Sequence, residues 1–126
     1  MDKYTKAVLT VIALYVLALP VKAESEIEAK VYYCQMTSNV SVGKNGVVHY
    51  DDDKFKFKVS RKEVRFGKGG QFDGWIVPMT HFIALNYFDA YDETVYIHFN
   101  QGMFYQSLMS GLQEEVLVVV ARCDDF

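Results

Sequence analysis

The sequence predicts a mainly β fold, a small antiparallel meander barrel or roll of seven to eight short strands closed by one disulfide. Three observations lead there. Apolar and charged residues alternate with period two in several runs, which puts one face of an extended chain in a core and the other in water. Glycine-, asparagine- and serine-containing turn signals separate those runs. The two cysteines, Cys34 and Cys123, lie in the first and last apolar segments of the domain.

Residues 1–23 read as a cleavable signal peptide. Lys3 and Lys6 give a positive start, Ala7 to Val21 is almost unbroken apolar sequence, and Val21-Lys22-Ala23 places small residues at −3 and −1, so cleavage is expected after Ala23. As a helix the 15-residue apolar stretch spans about 22 Å, short of a hydrocarbon core of about 30 Å. Signal peptide is therefore the stronger reading than anchor, and the expected localisation is periplasmic or secreted. No later segment has the length and hydropathy to span a membrane once the signal is removed.

Residues 24–126 form one expected domain of 103 residues, with ten Lys and Arg against fifteen Asp and Glu, a formal charge of −5. That balance argues against general nucleic-acid or anionic-membrane binding. With only two cysteines in a chain bound for an oxidising compartment, one pairing is possible, Cys34 with Cys123. Their distance in sequence excludes a redox C-x-x-C pair, and their count a four-cysteine zinc site.

The elements follow in order. Ala29 to Thr37 is a first strand, and Gly46 to Tyr50 a second after the turn dipeptide Asn45-Gly46. Lys54 to Val59 alternates strictly, with Phe55, Phe57 and Val59 on one side and Lys54, Lys56 and Lys58 on the other; Val64 and Phe66 resume the apolar face after a short polar turn, which makes a hairpin. Gly67, Gly69 and Gly70 mark a loop, and Trp75 to Pro78 a short strand ended by its proline. Thr80 to Tyr91 reads as a short helix capped by Thr80, or as irregular chain, because its aromatic residues show no period of two. Thr94 to Phe99 and Met103 to Leu108 form a second hairpin around Asn100-Gln101-Gly102. Val116 to Cys123, apolar until Arg122, reads as a strand covered on both faces. A closed meander sets its first and last strands side by side, as a Cys34–Cys123 bridge requires, and a two-sheet sandwich with adjacent terminal strands meets the same condition.

No grouping of residues marks a catalytic, cofactor-binding or metal site. His49, His81 and His98 are scattered, Asp51-Asp52-Asp53 lacks the spacing of a calcium loop, and Gly67-Lys68-Gly69-Gly70 lacks the Ser/Thr and following helix of a phosphate loop. Asn39-Val40-Ser41 matches the N-glycosylation acceptor pattern, which carries weight only in a eukaryotic secretory pathway. Two surfaces stand out. Lys54, Lys56, Lys58, Arg61, Lys62, Arg65 and Lys68 put seven cations and one acid, Glu63, into 15 residues of an acidic chain. They suit docking to an acidic protein or anionic glycan; the simpler account is a solvated strand face that resists edge pairing. Trp75, Phe82, Tyr87, Phe88 and Tyr91 concentrate in the aperiodic segment, either as core or as an aromatic lip contacting a ligand.

The plan resembles the small periplasmic barrel inhibitors of lysozyme, an exported domain of similar size opening on an aromatic-x-Cys pattern, here Tyr32-Tyr33-Cys34. The serine-glycine motif ending in tyrosine that marks those inhibitors is not reproduced, since Ser110-Gly111 continues as Leu112-Gln113-Glu114. The resemblance thus implies architecture and carries over no inhibitory residue. The leading expectation is an exported, non-catalytic binding or inhibitor module; a carrier of a small apolar ligand or sugar, and a small secreted enzyme, are the alternatives.

Overall fold

A computed structural model describes residues 28–111 and 114–125. The predicted signal peptide lies outside the described residues. Within them the chain forms nine strands and no helix: β1 (Ala29–Gly43), β2 (Gly46–His49), β3 (Lys54–Ser60), β4 (Glu63–Phe66), β5 (Ile76–Ala84), β6 (Tyr87–Tyr91), β7 (Val95–Asn100), β8 (Met103–Ser110) and β9 (Glu115–Asp125). Every neighbouring pair is antiparallel, and β9 returns to pair with β1, so eight strands close into a barrel with β2 outside the ring. This decides between the two architectures left open by the sequence.

The closing seam is the longest ladder in the molecule. It runs from Tyr32 opposite Asp125 to Gly43 opposite Glu115, with a bulge between Met36 and Ser38. Cys34 and Cys123 are direct partners in it and form the disulfide, their Cα atoms 4.0 Å apart. The bulge bends β1, and its two halves then serve different neighbours: Ala29 to Gln35 pairs with β3, and Val40 to Gly43 pairs with β2. Lys30 Nζ adds an ion pair across the seam to Asp125.

The core follows from the alternation. Phe55, Phe57 and Val59 point inward from β3, Val64 and Phe66 from β4, Ile97 and Phe99 from β7, and Phe104 from β8. Their rings interlock, with centroids 5.6 Å apart for Phe57–Phe99 and Phe57–Phe104 and 5.1 Å for Phe88–Phe99. Each fully buried ring contributes about 1.5–3 kcal/mol over exposure. An eight-strand barrel is narrow enough for such side chains to fill it. The β7–β8 connection is a two-residue turn in which Gln101 and Gly102 both take positive φ, 47° and 87°, as a primed turn with matching twist needs.

Three expectations are corrected. Residues 80–91 are not a helix: they belong to the β5–β6 hairpin, which turns at Leu85-Asn86. Bulges between Met79 and His81 and between Phe82 and Ala84 shift the register twice, which erases period two from the sequence and makes the segment look aromatic all round. Pro78 does not end its strand; it lies past the last β5–β6 pair, Met79 with Ala90, so its missing N–H removes no ladder bond there. Nor is β9 covered on both faces. Its inward residues Val119 and Ala121 are buried, while Val116, Val118 and Val120 remain partly exposed on the outside.

Two tests of the fold follow. The bridge closes a loop of 89 residues, so C34A/C123A is expected to lower the unfolding free energy by about 2–5 kcal/mol in urea titrations. Asp92, between β6 and β7, accepts the backbone N–H groups of Thr94 and Val95 at 2.9 and 2.8 Å, and those bonds hold its carboxyl below the ordinary aspartate value. A depressed folded-state value means that its stabilisation is present above the unfolded value and disappears as pH falls through the folded one. Asp92→Ala should therefore lower Tm at neutral pH, with the gap from the unaltered protein narrowing in melts below about pH 4.

Candidate functional site

Strict alternation in β3 sends Lys54, Lys56 and Lys58 outward because the opposite side is committed to the core. The register then determines their company. Lys58 faces Arg65 of β4 on one side and Val31 of β1 on the other. Lys56 faces Tyr33, which in turn faces Asp124 of β9. Lys54 faces Gln35, which faces Arg122. The result is a continuous outward face on β4, β3, β1 and β9 with Tyr33, 47% exposed, near its centre.

Two shallow grooves flank that tyrosine. One, of about 440 Å³, is lined by Tyr33, Lys54, Lys56, Lys68 and Arg122 among others; the second, of about 300 Å³, runs past Val31, Lys58 and Arg65. Gly67 helps shape them. A Cβ there would come within 2.6 Å of Lys56 Cε and 2.7 Å of its Cγ, so the missing side chain is what lets the lysine stem lie across the end of β4. Arg65 is partly neutralised, donating from Nε to Glu63 Oε2 at 2.9 Å.

Of the seven cations singled out in the sequence, the structure gathers Lys54, Lys56, Lys58, Arg65 and Lys68 on or beside this face. Arg61 goes elsewhere, its guanidinium 5.2 Å from the centre of the Phe82 ring, and Lys62 sits in the β3–β4 turn, where its carbonyl accepts the Met79 N–H. Arg122, 54 positions beyond Lys68, joins the group through the β1–β9 register and had no local signal. The Asp51-Asp52-Asp53 run lines the barrel mouth and reaches the lysine face only at Asp53, whose Oδ1 accepts the Lys54 backbone N–H at 2.8 Å.

The five aromatic candidates do not form a lip. Phe88 is in the core, and Trp75 packs on Phe72 with centroids 5.5 Å apart. Phe82 is partly buried under Arg61. Tyr87 and Tyr91 point outward, Tyr91 stacked on Tyr96 and Tyr87 set edge-on to His98. His98 also faces outward, with Nδ1 2.5 Å from Asp89 Oδ1. Among the described residues no three His, Cys, Asp or Glu side chains converge as a metal site, and no helix is long and apolar enough to cross a membrane.

The mouth carries what sequence reasoning missed. Asn39, Ser41 and Gln106 are inward-facing and almost fully buried at positions where alternation calls for apolar residues. Asn39 Nδ2 donates to the Asp51 carbonyl at 3.0 Å and to Gln71 Oε1 at 2.9 Å, so in the folded domain it is not presented for glycosylation. Asn39 and Gln106 flank Val119 in one interior row, and Asn39 Oδ1 and both amide atoms of Gln106 are buried without a hydrogen-bond partner.

No known protein family, curated protein or solved structure matches this chain. The site must be read from its own chemistry.

A buried amide with no partner forfeits about 1–3 kcal/mol of lost solvation. Gln106→Leu, close in volume and free of polar atoms, is therefore expected to raise the urea midpoint, and an unchanged or lower midpoint would contradict the reading of Gln106 as unpaired.

Proposed function

We propose that the chain is exported on its 1–23 segment and that residues 24–126 act as a non-catalytic binding module, capturing an acidic protein on the β4–β3–β1–β9 face. The observation that carries this reading is the grouping of Lys54, Lys56, Lys58 and Arg122 by cross-strand register, with Lys68 from the adjoining loop, around exposed Tyr33 and the single acid opposite it, Asp124, on a chain of net negative charge. A protein suits this face better than a glycan because its centre offers apolar area in Tyr33 and Val31, and Ile76 of β5, 50% exposed, extends it past Arg65 at the edge. Protein interfaces have this anatomy, with tyrosine and aliphatic residues inside a charged rim.

The cations steer the encounter and select against basic partners, while the apolar centre supplies surface to bury.

The test is affinity capture from native envelope extract with the unaltered protein and K56E/K58E, at low and raised salt. An acidic protein retained by the first, released as salt screens the face, and lost by the second is the expected result. Identical captured sets would sink the proposal, and so would capture of anionic glycan in place of protein.

A further inference from the structure

The closing seam ends in a ribbon that leaves the ring. β1 pairs with β3 only as far as Gln35, and from Val40 that side of β1 is taken by β2, which pairs with no other described strand. There β2, β1, β9 and β8 run side by side as four antiparallel strands. One side of this ribbon turns toward a pocket of about 620 Å³ at the barrel mouth, lined by Ser41, Leu108 and Leu117 among others. The other side faces outward, and the register sets its residues in rows. Val47, Val42, Val116 and Met109 lie across the four strands. The next row holds Val40, Val118, Ser107 and, on β7, Tyr96. Val120 and Tyr105 extend the surface toward the barrel.

These outward positions are free of the core and could carry any solvated residue. β3 shows that alternative, with lysine at Lys54, Lys56 and Lys58 guarding its outer side. Here no Asp, Glu, Lys or Arg stands in any of the rows, although such residues make up 23% of the chain. Val42, Val47, Tyr96, Tyr105 and Met109 are instead between 42% and 63% exposed. With the partly exposed Val40, Val116, Val118 and Val120 they present on the order of 600 Å² of side chain, the size of the largest apolar patches on soluble proteins and most of the roughly 800 Å² that a standard interface takes from each partner.

We propose that this face joins two copies of the chain, the rows of one packing across a two-fold axis onto the rows of the other. Charge selects a second copy as the occupant. A two-fold axis sets the same surface against itself. Paired in that way, the lysine face or the acidic mouth would meet its own charge, and the net negative body opposes association generally. The valine and tyrosine rows meet themselves without a like-charge contact. Sheets pack face to face about 10 Å apart through aliphatic side chains of this kind, and the hydroxyls of Tyr96 and Tyr105 find partners at the rim. A lipid surface fits less well, because the rows hold no Lys or Arg to engage headgroups. The surface stops at Arg122, the outward residue of β9 after Val120, where the lysine face begins.

The experiment is sedimentation equilibrium of the purified protein from micromolar to submillimolar concentration, at low and raised salt. The expected result is a shift from the monomer mass to twice that mass, with no loss of dimer as salt is raised, since apolar contact is not screened. V47K and M109K change exposed side chains, so β-sheet circular dichroism and the disulfide should stay intact. Each should weaken the dimer on the order of 100-fold, because the axis brings two added charges into the contact. M109L should dimerise as the unaltered protein does, and so should K56E/K58E, whose substitutions lie on the other face. A monomer mass at every concentration would overturn the proposal, as would a dimer that V47K and M109K leave intact or K56E/K58E abolishes. Association that salt dissolves or that grows past two copies would assign the contact to the lysine face of one copy on the acidic mouth of the next. Binding of the monomer to phosphatidylcholine vesicles, lost in V47K and M109K, would give the face to lipid.

Discussion

Closure along the β1–β9 seam is the constraint on which the rest of the molecule rests. A meander left open here would expose two long edges and half of an aromatic core; joining them places every barrel strand between two neighbours. The seam is secured by several means at once: a long ladder, the Cys34–Cys123 bridge within it and the Lys30–Asp125 ion pair near its end. It also shapes the surfaces of interest. Arg122 and Asp124 meet the β3 lysines only because β9 lies against β1, and the mouth pocket has walls on β1, β8 and β9 for the same reason.

Part of the charge of the chain is segregated between two surfaces. Cations gather on an outward strand face, where water solvates each head group and the scaffold bears little desolvation. Carboxylates gather at the mouth, beside a buried polar layer that is expensive to maintain in a domain of this size. Among the described residues the buried polar side chains are Asn39, Ser41 and Gln106, all toward that one end.

What the sequence made legible depends on how undisturbed the period-two pattern is. The β3–β4 and β7–β8 hairpins are plain because alternation runs through them without interruption, and the disulfide is plain because only one pairing exists. β5 and β6 were hidden by two bulges, each of which moves the following residues to the other face. The second half of β1 was hidden for a chemical reason: its inward positions Asn39 and Ser41 are polar, so the strand was expected to stop at Thr37 rather than continue to Gly43. That failure falls on the mouth of the barrel, where Asn39 and Ser41 line the pocket. The basic face was half legible, because lysines on one strand can be read locally and Arg122 enters only through pairing distant in sequence.

The placement of β1 also governs when the molecule can exist. The first strand of the domain makes its longest ladder with the last, so no length of chain that lacks β9 can complete the ring. Until Cys123 is out, Cys34 lacks its partner and the aromatic interior has an open side. The strand order thus makes closure the last event: the ring can lock only when its final strand is present.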